Sequence, residues 1–184
     1  REKKKVNSKI IDIKKIRKLS PVIKKKILKD LNKITEKREL LRKKKHILMG
    51  ILNLTPDSFS DEWNFNSLKK ANQRIKVISE AGADIIDIGG ESTRPGSKII
   101  SPKNELRRVK DVITKFKNKF PKSLLSVDTR KSLVMNFSLK HNADIINDVS
   151  CFKYDQKSFD IVKNKNIWKI IHHMQGTPQT MQIN

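Results

Sequence analysis

From residue 47 onward, short and almost purely apolar runs alternate with longer segments in which apolar positions recur every three or four residues. Ile47–Leu52 is the first run. Six residues of that kind suit a strand buried on both faces, as in a parallel sheet, and are too few for a buried helix. The run breaks at Asn53, and Pro56 removes a backbone donor and biases Thr55 toward an extended conformation, so the strand stops there. Leu68, Ala71, Ile75 and Ile78 then repeat at helical spacing, which predicts a helix over 68–80 with Ser67 as its cap and Ala81-Gly82 as its stop. The same reasoning gives a strand at 83–88, a helix at 102–120 opened by Ser101-Pro102, a strand at 124–127 and a helix at 131–141. A strand at 143–146, a helix at 156–163 and a strand at 167–172 complete the series.

Gly82-Ala83-Asp84-Ile85-Ile86-Asp87 and Asn142-Ala143-Asp144-Ile145-Ile146-Asn147 share one shape 60 residues apart: a helix stop, a buried strand and a polar terminus. Five strand–loop–helix units in series, with right-handed crossovers, predict an α/β fold with a parallel sheet. Strict alternation and short connections favour a (β/α)8 (TIM) barrel over an open doubly wound sheet. No GxGxxG follows the first strand and no GxxxxGK[ST] occurs, which counts against dinucleotide and P-loop folds. A whole barrel needs eight units and about 250 residues, so a barrel truncated to its first five units is expected. The chain also opens without Met and closes just after a polar loop, as a piece of a longer protein would.

Residues 1–45 follow a different regime. They hold 20 of the 42 Lys and Arg against 5 of the 19 acids, which places +15 of the net +23 there. Ser20-Pro21 opens a helix over about 21–44, with Ile23, Ile27, Leu31, Ile34 and Leu41 on one stripe. Two domains follow: a basic, helical extension or linker at 1–45, and a partial barrel at 46–184. A surface this basic could serve nucleic acid or an anionic membrane. However, 1–45 contains no aromatic residue to stack on bases and no nucleic-acid motif, so a solvated helix docking its stripe on a neighbour is the preferred reading. No apolar run reaches the ~18 residues of a membrane span, and a single cysteine, Cys151, fits a reducing, cytoplasmic setting.

The candidate chemistry is positional. Asn53, Asp87, Asp128, Asn147 and His173 each fall at the end of a different predicted strand. In a barrel such ends converge on one pocket. Asn and Asp are common after strands for turn reasons alone, but five in register argue jointly for a site that takes a ligand rich in N–H donors or one developing positive charge. His172-His173 as a metal pair is disfavoured, because adjacent strand residues point to opposite faces.

The loops carry more. Met49-Gly50-Ile51-Leu52-Asn53-Leu54-Thr55-Pro56-Asp57-Ser58-Phe59-Ser60-Asp61 and Asp87-Ile88-Gly89-Gly90-Glu91-Ser92-Thr93-Arg94-Pro95-Gly96 resemble the first two signatures of the dihydropteroate synthase family. Ser126-Val127-Asp128-Thr129, Ile145-Ile146-Asn147-Asp148 and His173-Met174-Gln175-Gly176 resemble the next three, in the same order. The resemblance covers 46–184. It implies a transferase of folate biosynthesis, the target of sulfonamides, which condenses 6-hydroxymethyl-7,8-dihydropterin diphosphate with p-aminobenzoate. It further implies Mg²⁺ held by Asn53, with Asp128, Arg94 and Thr93 as catalytic residues. Asp128 and Asn147 would bind the pterin with Asp87 near them at the pocket floor, Met174 would line the pterin slot, Thr93 would bind the diphosphate, and Phe59 and Pro95 would shape the p-aminobenzoate pocket, with Asp61 among the substrate-binding groups. A homodimer is expected of the full-length protein, and the five-unit piece alone is expected to be inactive. Two departures stand out: Glu62-Trp63-Asn64-Phe65 replaces the glycines usual after the first loop, and the family's later Lys- and Arg-bearing segments are absent. A pterin-binding methyltransferase domain is the alternative within the superfamily, and a non-catalytic basic binding protein the alternative outside it.

Overall fold

The computed structural model describes residues 20–22, 39, 43–44, 46–55, 65–92 and 97–172. The chain divides into two compact units, 1–46 and 47–184. In the first, Pro21, Val22, Glu39 and Lys43 are helical, and Lys43 Nζ reaches Glu39 at 3.2 Å one turn away. The rest of the expected 21–44 helix lies outside the described residues.

In the second unit, five parallel strands alternate with four helices: β1 Met49–Asn53, α1 Phe65–Glu80, β2 Ile85–Gly89, α2 Pro102–Lys119, β3 Leu124–Asp128, α3 Ser132–Lys140, β4 Ile145–Asp148, α4 Ser158–Val162 and β5 Trp168–Ile171. Spatial order equals chain order. The register separates two faces. Leu52, Ile88, Val127 and Ile146 form one row and Ile86 and Leu125 the row below, and all join Ile75, Val109, Ile113, Phe116, Val134 and Met135 in the core under the helices. Gly50 belongs to the same face because α1 lies close there: a Cβ would overlap Cγ2 of Ile78. The intervening rows face the other way. They read Ile51, Asp87, Ser126, Ile145, Trp168 and, one step higher, Asn53, Gly89, Asp128, Asn147, Ile170.

The internal repeat holds at atomic detail. Gly82 and Asn142 both adopt positive φ, 98° and 63°, where their helices end. Asp84 N donates to Leu48 O, and the Asp84 carboxylate accepts Leu48 N–H; Asp144 makes the same pair of bonds with Leu125. Each Asp thereby ties the foot of its strand to the strand before it. Equivalent positions climb two residues between β2 and β4, the slope that a barrel with shear 8 over eight strands needs.

Three expectations are corrected. Helix α1 begins at Phe65, so Ser67 is a buried residue within it and not its cap. Strands β1 to β4 end one or two residues later than their apolar runs, so Asn53, Asp128 and Asn147 are strand residues, whereas β5 is one residue shorter at each end than expected. Strand β1 is an edge of the described sheet and buries only Leu52 well; Ile51 is 64% exposed.

After β4 the chain turns through two consecutive residues with positive φ, Cys151 at 54° and Phe152 at 61°. The fully buried Asp148 enforces the turn: Oδ1 accepts from Ser150 N and Oγ at 2.7 Å each, and Oδ2 accepts from Phe152 N at 3.1 Å. A left-handed conformation strains any residue with a Cβ, and β-branched residues most. Cys151→Val is therefore expected to lose about 1–2 kcal/mol in urea unfolding, whereas Cys151→Gly should match or exceed the parent. Equal loss in both variants would show that the side chain, and not the backbone, matters there.

Candidate functional site

The site is built on the face that the helices leave uncovered. Asp87 lies at mid-strand on β2 and is 3% exposed. Its Oδ2 accepts Nδ2–H of Asn147 at 3.0 Å, a bond that passes over β3. Oδ1 of Asp87 and Oγ of Ser126, its register neighbour, are both buried without a hydrogen-bond partner among the described residues. Orphaned buried acceptors and hydroxyls of this kind are rare, which makes this floor a candidate site. Burial raises the Asp87 pKa, opposed by Ser126, Asn147 and the charge of His172.

Asp128 stands one row higher on β3, between Gly89 and Asn147. Burial first, and then the charges of Asp87, Glu105, Asp148 and Glu91, push its pKa up to about 7. Asn53 ends β1 in the same row and is exposed. Gly89 stands between Asn53 and Asp128. A Cβ at Gly89 would lie 3.2 Å from Asn53 Oδ1 and 3.5 Å from Asp128 Oδ2. The missing side chain thus leaves two hard oxygens around one gap. Asp87 is accordingly not in register with the other three: it sits a step deeper, at the floor.

Beneath the loop ends lies a cluster of four charges that the sequence reading did not single out. Lys131 Nζ, 1% exposed, reaches Glu91 Oε1 at 2.9 Å and Glu105 Oε2 at 2.6 Å, and Arg130 Nε reaches Glu91 Oε2 at 2.9 Å. The Arg130 guanidinium also stacks 3.9 Å from the Tyr154 ring. Burial works against the Glu91 carboxylate, but Arg130 and Lys131 outweigh it and hold its pKa below the ordinary value. Glu105 is lifted by burial despite Lys131. Glu91 also accepts the Ile100 N–H at 3.1 Å, and Ser101 caps α2 through Asn104 N. The network therefore pins the end of β2, the start of α2 and the turn after β3 to one another. Partners 26 to 40 residues apart in sequence leave no periodic signal; only the Thr129-Arg130-Lys131 run directly after a strand end could have drawn attention to it.

Of the residues expected from sequence, the structure brings Asn53, Asp87, Asp128 and Asn147 to one face. Phe59, Asp61, Thr93, Arg94, Pro95, His173 and Met174 lie outside the described residues. Among the described residues, no group of three or more His, Cys, Asp or Glu is placed to hold a metal, and no helix is long and apolar enough to cross a membrane.

Fold and site together define a parallel β/α-barrel protein with an acidic floor that holds buried polar atoms, unpaired among the described residues. The chain belongs to the pterin binding enzyme family, which it matches over residues 49–184. It is 40% identical over 139 residues to a dihydropteroate synthase of Synechocystis sp., covering 76% of this chain and 48% of that protein. It is 44% identical over 138 residues to a mitochondrial folate synthesis bifunctional protein of Pisum sativum, covering 74% and 27%. A crystal structure of Yersinia pestis dihydropteroate synthase with a sulfonamide drug complex matches with a TM-score of 0.68 at 40% identity, covering 75% of this chain and 50% of that one. A Clostridium difficile dihydropteroate synthase determined in the presence of pteroic acid matches at 0.67 and 42%, covering 73% and 51%. The chain spans about half the length of the single-function synthases it matches.

Proposed function

We propose that the full-length protein containing this chain condenses 6-hydroxymethyl-7,8-dihydropterin diphosphate with p-aminobenzoate to give 7,8-dihydropteroate and diphosphate, in a reducing, cytoplasmic setting. The observation that carries the reading is the Asp87–Asn147 pair with Asp128 one row above it, in a chain 40% identical to such synthases. The amino and ring N–H groups of a pterin match an acidic floor with free acceptors at Asp87 and Asp128. Breaking the C–O bond to diphosphate leaves positive charge on the pterin methylene carbon. The ionised Asp128 carboxylate stabilises that charge in a preorganised setting. The amine of p-aminobenzoate then forms the C–N bond and loses a proton.

Asn53, with the gap at Gly89 beside it, suits a hard cation that keeps several waters, so Asn53 would hold Mg²⁺ against the diphosphate. When bound, the ion supplies charge neutralisation to the leaving group. Thr93 and Arg94 toward the diphosphate, Phe59, Pro95 and Asp61 around p-aminobenzoate, and Met174 along the pterin belong to the same reading. So do sulfonamides as competitors of p-aminobenzoate and a homodimeric full-length protein. The test is turnover of pterin diphosphate with p-aminobenzoate and Mg²⁺ by that protein, competed by a sulfonamide. Methyl transfer without condensation would favour the methyltransferase alternative.

A pH dependence follows. Ligand N–H groups require Asp128 ionised, whereas the free carboxyl titrates at about 7. Pterin affinity should rise from pH 5 to pH 7 and then level off, and binding near pH 6.5 should release a proton. Calorimetry in buffers of different ionisation enthalpy measures that proton directly. Affinity that is flat or falling over this range would remove Asp128 from the site.

A further inference from the structure

The inward row that carries Asn147 and Ile170 continues one step past the end of β5 to His172. The imidazole Nε2 lies 3.0 Å from Asn147 Oδ1, while Asn147 Nδ2 lies 3.0 Å from Asp87 Oδ2. The two contacts determine each other. Asp87 accepts, so the Asn147 nitrogen must face it; the Asn147 oxygen then faces His172, and Nε2 must carry the proton. The opposite amide orientation would set two acceptors against each other at Asp87. The imidazole contributes to no other hydrogen bond described, and its side chain is exposed, so it is not needed for the core.

We infer that His172 is a positioning residue for ring recognition: its Nε2–H anchors the Asn147 carboxamide from one side while Asp87 anchors it from the other. The inference rests on the reading of this pocket as a pterin site. With both anchors in place, Asn147 keeps one N–H and one oxygen lone pair in a fixed plane for the planar edge of a pterin. With Asp87 alone, the amide swings about a single bond, and part of the binding energy goes into ordering it.

The experiment uses the full-length protein with His172→Leu, which removes the donor, and His172→Gln, which retains an N–H. The Kd for 6-hydroxymethyl-7,8-dihydropterin is measured by calorimetry, with KM for both substrates and Tm alongside. His172→Leu should weaken the dihydropterin Kd and the KM for its diphosphate about 3–10-fold, leaving Tm and the KM for p-aminobenzoate unchanged. His172→Gln should recover most of the loss. Unchanged dihydropterin affinity in His172→Leu, or a Gln variant no better than Leu, overturns the inference. A loss shared equally by p-aminobenzoate and Tm also overturns it, as the mark of a structural role. Absence of any dihydropterin binding by the parent protein would instead overturn the pterin reading itself.

Discussion

Asp128→Asn in the full-length protein should lower turnover ~100-fold or more while leaving the fold intact and, above neutral pH, more stable. The two halves of this expectation have one cause. Asp128 lies within the field of Asp87, Glu105, Asp148 and Glu91, and burial together with those charges lifts its pKa from 3.8 to about 7. For an acid whose folded pKa is raised, the unfavourable energy of ionisation in the fold is absent below pH 3.8, grows as pH rises toward 7, and is complete above it. Asparagine keeps the shape and removes the charge. The stability gain of the variant should therefore be nil near pH 3.5 and largest at pH 8, as read by thermal unfolding across that range. The same substitution removes a carboxylate placed to face positive charge, and loss of a preorganised electrostatic partner costs on the order of 3 kcal/mol in the transition state. Near-parent turnover in a folded variant would sink the role given to Asp128. A variant that is less stable at pH 8 would contradict the electrostatic account of its environment.

The largest stability effect is expected at Lys131. Its ammonium is 1% exposed and bridges Glu91 and Glu105, themselves 7% and 0% exposed. Lys131→Met keeps the length of the stem and removes the charge, leaving Glu91 with Arg130 alone and Glu105 with no cation among the described ion pairs. Breaking a buried ion pair in this way costs about 3–5 kcal/mol, which lowers the Tm of a unit this size by roughly 10 °C or more. Two controls fix the mechanism. Glu105 already titrates above its ordinary value, and removing its cation raises it further, so the deficit should shrink as pH falls from 7 toward 4.5. Pairing Lys131→Met with Glu105→Met should recover part of the loss, since apolar pairs replace buried ion pairs at little cost. A double variant as unstable as the single one would mean that shape rather than charge holds these loop ends.

The comparison of sequence and structure divides along the sheet faces. The strands were legible because their helix-facing positions are apolar without exception at Ile86, Ile88, Leu125 and Val127, and the opposite face interrupts these two runs only at Asp87 and Ser126. The boundaries were misplaced because polar residues at Asn53, Asp128 and Asn147 look like turn residues, although they continue the ladder as inward-facing strand positions. That four polar residues share a face was legible from their spacing. That Asp87 lies a step below the others came from the family resemblance alone, because the climb between neighbouring strands is a property of the register and not of any one segment. The ion network at Glu91, Glu105, Arg130 and Lys131 and the contact of His172 with Asn147 were illegible for the same reason: each depends on which strand lies beside which. Most of the helix expected in the N-terminal unit falls outside the described residues.

Spatial order equal to chain order has a consequence for synthesis. As the polypeptide leaves the ribosome, each strand from β2 to β5 finds the preceding strand of its ladder already made, with the crossover helix between them made as well. Among the described strands, β2 to β5 each join the strand made just before, so the loop-closure entropy for each addition stays that of one β/α unit. The Asp84 and Asp144 clasps act at the matching moment: each bonds backward, to Leu48 or Leu125, as soon as its strand begins. Growth of this sheet is vectorial, with the nascent edge serving as the template for the segment that follows it.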